Sequence, residues 1–178
     1  TWIAAPTAWA DKIENKNWPD QTHWEEVKAQ AQANGQPIVA MISNAETTCP
    51  IEAGACNRWF GAPQFKRINR VHVIFRSGEV FDQLSAVYKK QASTTKQTAS
   101  GPVTSVNYDM PIMCIANAQG EVLGFVQNKN PAAVQQVQSL IAIAAWQQDA
   151  SKQIEKADQQ AADGAFRSAL ATIKKIQQ

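Results

Sequence analysis

The sequence predicts an α/β protein: a mixed sheet flanked by helices, with an extension before it and a helical appendage after it. Three observations carry this. Two short, nearly unbroken apolar runs, PIVAMIS at 37–43 and VHVIF at 71–75, have the length and β-branched content of strands covered on both faces. Stretches with apolar residues at helical spacing precede, separate and follow them. Further on, two more strand-like runs, 110–116 and 122–126, flank the turn Ala118-Gln-Gly120 as a hairpin. Helix, strand, helix, strand, helix, hairpin, helix is the alternation of a sheet with helices on both faces.

Composition agrees. Of 178 residues, 44% are hydrophobic and 18% charged, which supplies a core and argues against wholesale disorder. A net charge of +2 is too small for a nucleic-acid binder. Basic residues do gather between Arg58 and Lys96, and a solvated face accounts for them better than a ligand patch. No apolar run reaches about 18 residues, so no membrane span is predicted. The chain opens on Thr1 without a charged n-region and apolar h-region, so the expectation is a removed leader or a trimmed chain. A removed leader implies an extracytoplasmic protein, periplasmic or secreted, where a disulfide can persist. Three cysteines cannot all pair within one chain.

The elements follow in order. Residues 1–19 carry Trp2, Trp9 and Trp18 with two prolines, and read as an extension that buries aromatic rings on the core. An aromatic arm for a partner is the sharper alternative. Asp20 or Thr22 caps a helix to about Asn34, with Trp24, Val27 and Ala31 on its apolar face, and Gly35 ends it. After the 37–43 strand, residues 57–69 look helical, interrupted by Gly61 and Pro63. The 71–75 strand leads into a helix over about 80–91. Residues 92–107, small and polar, read as a mobile loop. Pro131 stands at a helix N-terminus, and Val134, Val137, Leu140, Ile141 and Ala144 mark a helix running past Trp146.

The stretches WEEVKAQAQANGQPIVAMIS, FKRINRVHVIF and YDMPIMCIANAQGEVLGFV together resemble the thioredoxin-like superfamily, in its secreted branch, over residues 20–148. The resemblance implies a thioredoxin-like sheet, a cis Met110–Pro111 bond lining a substrate groove, and a redox pair at the end of the first strand. In that family the pair is C-x-x-C. Its first sulfur sits at a helix N-terminus and its second about one turn on, close enough to resolve a mixed disulfide. Here Cys49 and Cys56 stand in C-x6-C, as though four residues had been inserted.

Three outcomes stay open for Cys49 and Cys56: a structural disulfide, two free thiols, or working dithiol exchange. If 49–56 were all helical, the two Cα atoms would be about 10 Å apart at about 1.5 Å rise per residue. A disulfide needs under about 7 Å. Pairing requires PIEAG to form a loop, which Pro50 and Gly54 suggest, and the expectation is a Cys49–Cys56 staple worth roughly 2 to 3 kcal/mol. Cys114, in an apolar strand, is expected to be a buried inert thiol.

Neither His23 nor His72 has the spacing of a metal site or a catalytic dyad, and no phosphate loop or dinucleotide fingerprint occurs, so no metal or cofactor is expected. Asp109 reads as a turn residue, with tuning of the cysteines as the sharper alternative. Residues 149–178 resemble one helical hairpin of a tetratricopeptide repeat, with Phe166, Leu170 and Ile173 at helical spacing. One such unit cannot bury its own apolar face, so these residues are expected to be covered by the main domain, a second copy or a further segment. The functional expectation is a non-catalytic binding or assembly module with a protein partner and possible homo-oligomerisation through the C-terminal helices. The alternative is an extracytoplasmic thiol–disulfide oxidoreductase using Cys49 and Cys56.

Overall fold

A computed structural model describes residues 11–12, 18–47, 49–127 and 133–176. Trp2, Trp9 and Pro131 lie outside the described residues. The protein is α/β, as its pattern of elements predicts. Two-residue strands β1 (Asp11–Lys12) and β3 (Glu46–Thr47) pair antiparallel. The main sheet consists of β2 (Ile38–Ser43), β4 (Asn69–Ile74), β7 (Ile112–Ala116) and β8 (Val122–Gln127), in the order β4-β2-β7-β8. β2 and β4 run parallel, while β7 is antiparallel to both β2 and β8. Strand order and polarity are compatible with a thioredoxin-like fold, and the Met110–Pro111 bond is cis.

Helices cover both faces. α1 (Trp24–Asn34) follows a 3-10 turn at Gln21–His23, whose first backbone N–H groups are capped by the Asp20 carboxylate accepting from Thr22 N at 2.9 Å. Gly35 closes α1 in the left-handed region at φ 65°, where a side chain would be strained. α1 and α3 (Gly78–Ala92) bury Trp24, Val27, Phe81, Leu84 and Tyr88 against Ile38, Ala40 and Ile42 of β2. α2 (Pro50–Gly61) and α4 (Ala133–Ala162) pack on the opposite face, where Trp59, Phe60, Val137 and Ala144 meet Val39 and Met41. Alternate residues of β2 thus enter two different cores, which is why the strand reads as an unbroken apolar run.

Trp18 is the described aromatic of the extension, and it is buried in the second core. Its Nε1–H donates to Phe60 O at 3.3 Å, and its ring meets Phe60 and Phe65 edge-on. The segment after it covers the outer edge of β4: His72 N donates to Pro19 O at 2.8 Å and Ile74 N to Gln21 Oε1 at 2.9 Å.

Two sequence expectations are corrected. Residues 93–106 are a hairpin rather than a structureless loop, with β5 (Ser93–Thr98) paired to β6 (Gly101–Val106). Its side chains are almost all exposed, so no apolar alternation marked it. The boundary set at 148/149 falls inside α4, which runs unbroken for 30 residues and contains no glycine or proline. The appendage is therefore the second half of α4 turning at Gly164, φ 77°, into α5 (Phe166–Ile176).

Candidate functional site

The candidate site lies at the carboxyl end of β2, where its two neighbours continue in different directions and α/β proteins gather their ligands. Ile42 pairs with Ile112, so register sets the cis Met110–Pro111 bond beside the end of β2 from which residues 44–49 lead into α2. Pro111 is buried and Met110 half-buried.

Cys49 is the N-cap of α2 and is exposed. Pro50 occupies the first helical turn, where its missing N–H costs nothing because that group has no helical partner anyway. The connection before it is held by a buried carboxylate. Glu52 accepts from Asn44 Nδ2 at 2.9 Å and from Thr47 Oγ1 at 2.8 Å, while Thr47 Oγ1 accepts from Cys49 N at 3.1 Å. An acidic side chain in the first turn of a helix also complements the dipole.

Here the staple expectation is corrected. All three cysteines are free, and no loop separates Cys49 from Cys56. The helix is continuous from Pro50 to Gly61, because Pro50 initiates it and Gly54 is carried inside it. Cys56 therefore lies two turns beyond Cys49, about 10 Å along the axis and out of disulfide reach. A Cβ added at Gly54 would meet nothing within 4 Å. Gly54→Ala should therefore stabilise the protein by roughly 0.5 to 1 kcal/mol in chemical unfolding, as at an ordinary helix interior. Destabilisation would show that residues 50–54 need a glycine-bearing loop.

Cys56 is fully buried among Trp18, Trp59, Phe60 and the sheet. Burial pushes its thiol up to about 12, with the Glu52 charge adding to the shift and a hydrogen bond to Ser43 opposing it. Ser43 Oγ lies 2.8 Å from His72 Nε2, so Cys56, Ser43 and His72 form a buried polar chain beneath α2. These residues are far apart in the chain, and no local pattern brings them together. Ser43 ends β2 and His72 is in β4, and only the parallel pairing of those strands makes them neighbours. A polar residue ending one central strand and a histidine inside the next was the available signal.

Burial lowers the pKa of His72 below the usual 6.5, and the Asp20 charge partly offsets this. The stability gained by keeping His72 neutral is complete above the unfolded value and lost as pH falls below it toward the folded one. Unfolding free energies measured from pH 7.5 down to 5 should fall more steeply for the wild type than for His72→Gln. Equal slopes would remove His72 from the titration.

Cys114 is buried as predicted, and burial takes its thiol up to about 12. Asp109 acts on Tyr88, whose hydroxyl is pushed up mainly by burial. Among the described residues no group of three or more His, Cys, Asp or Glu is placed to hold a metal, and no helix is long and apolar enough to cross a membrane. Compared with models of known protein families and with curated proteins, the chain matches none of either.

Proposed function

We propose that the chain is a thioredoxin-like domain that acts outside the cytoplasm as a protein-binding or assembly module and not as a dithiol exchanger. The observation that supports this is the geometry of α2. Cys49 and Cys56 are separated by two helical turns, and Cys56 is buried with its thiol raised to about 12. Resolution of a mixed disulfide needs a nearby second thiolate, and Cys56 offers neither proximity nor ionisation. What remains at the carboxyl end of β2 is a surface framed by α2 and Met110–Pro111, suited to a protein partner. The C-terminal helices offer a second surface.

An insulin-reduction assay with dithiothreitol should stay at background for the wild type and for Cys49→Ser alike. Because Cys49 is exposed and unbonded, Cys49→Ser should change stability by no more than about 0.5 kcal/mol. Turnover that disappears in Cys49→Ser would overturn the binding-module reading. The oxidoreductase reading keeps one supporting observation: Cys49 is exposed at a helix N-terminus, at the same sheet end as the cis bond. In that form it would work as a single thiol with an external resolving thiol.

A further inference from the structure

Eight large apolar side chains are exposed among the described residues, and six of them lie on α4 and α5. The packing of α5 is inverted in size. It rests on α4 through small residues, with Ala169 and Thr172 buried and Thr172 Oγ1 donating to Gln160 Oε1 at 2.9 Å. Its large residues face out: Phe166 is 70% exposed, Leu170 56% and Ile173 43%. These three recur at i, i+4 and i+7, one stripe of the helix. An amphipathic helix ordinarily buries its large apolar stripe, so this one is built to meet a surface other than α4.

Charge states what kind of surface. α5 carries Arg167, Lys174 and Lys175 and no carboxylate. At about 100° per residue, Arg167 and Lys174 fall together on the side of the stripe away from Ala169 and Thr172. We propose that the Phe166–Leu170–Ile173 stripe docks an amphipathic helix of a partner protein whose apolar face is bordered by Asp or Glu. The partner's leucine-type side chains cover the stripe, and its carboxylates meet Arg167 and Lys174. A second copy is disfavoured, because laying α5 along its own copy opposes cations to cations. An anionic bilayer is disfavoured because the carboxylates of the same hairpin, Asp149, Glu155, Asp158 and Asp163, nearly cancel its cations, Lys152, Lys156, Arg167, Lys174 and Lys175, and leave no polybasic surface. The proposal does not depend on Cys49 or Cys56, so it stands or falls separately from the binding site at β2.

The test uses the full chain and a synthetic amphipathic peptide with leucines at i, i+3, i+4 and i+7 and glutamates beside them. Its twin carries lysines in place of the glutamates, and fluorescence anisotropy reads binding. The glutamate peptide should bind, at least tenfold more tightly than the lysine twin. Leu170→Ala should weaken binding about tenfold, and Arg167→Glu/Lys174→Glu should reverse the preference between the peptides. Circular dichroism of each variant confirms that the helices persist, and the charge-reversed protein acts as the folded control because it gains the lysine peptide. Equal binding of both peptides, or of neither, overturns the proposal. So does co-sedimentation with phosphatidylserine vesicles that Leu170→Ala abolishes in the absence of peptide binding. A Leu170-dependent dimer in sedimentation velocity without peptide binding overturns it in favour of a second copy.

Discussion

Iodoacetamide at pH 8 is expected to alkylate the native protein once, on Cys49, and to reach Cys56 and Cys114 only after unfolding. Cys49 is exposed at the start of α2, whereas the other two thiols are buried. The thiolate is the reacting species. A thiol with a pKa of about 12, as burial imposes on Cys56 and Cys114, is ionised in about one molecule in 10⁴ at pH 8. Burial adds a steric barrier to this, which exposed Cys49 does not face. Mass spectrometry of peptides after timed labelling measures the contrast directly. Comparable labelling of Cys49 and Cys56 under native conditions would mean that α2 opens readily, and the pair could then meet. Loss of both labels together, restored by a reductant, would reinstate the disulfide that the continuous helix excludes.

Trp18→Ala should destabilise the protein by about 3 to 5 kcal/mol, the range for removing a large buried aromatic side chain. Trp18 is 4% exposed. It touches Phe60 and Phe65 edge-on, places its ring under the Arg70 guanidinium at 5.7 Å and donates to Phe60 O. The residues after it lie along the edge of β4, so the change also loosens the cover on that strand. Trp18→Phe keeps much of the packing and removes the indole N–H, leaving Phe60 O without this donor, and should cost about 1 to 2 kcal/mol. Urea unfolding of the three proteins gives both numbers from the midpoint shifts. A Trp18→Ala loss under 1 kcal/mol would mean that the extension is not part of the cooperative unit.

Much of the site's framework was legible before any coordinates. The apolar run of β2, the β-branched run of β4 and the 110–126 hairpin are each local patterns, and each became the strand its pattern required. Pro111 at the start of β7 was placed by resemblance, and its cis bond followed. The hairpin at 93–106 escaped because it buries almost nothing, so there was no alternation to detect. The length of α4 was legible in the absence of glycine and proline from 133 to 162, but resemblance to a separate repeat unit drew a boundary through it.

By itself, the sequence determined the α/β class, the two-sided burial of the central strands, the closing of α1 by Gly35, and the burial of Cys114. These are consequences of side-chain period and local backbone preference, which the chain carries wherever it is. The fate of Cys49 and Cys56 was decided by tertiary structure. Pro50 and Gly54 are compatible with a loop or with the first two turns of a helix. The buried Glu52 carboxylate, bound to Asn44 and Thr47, together with the packing of Trp59 and Phe60 on the sheet, selects the helix. The Cys56–Ser43–His72 chain depends on the parallel register of β2 and β4, a pairing between residues 29 apart in sequence. The outward stripe of α5 is likewise a tertiary outcome: periodicity showed that Phe166, Leu170 and Ile173 share a face, and only the docking of Ala169 and Thr172 on α4 decided that this face points away from the protein.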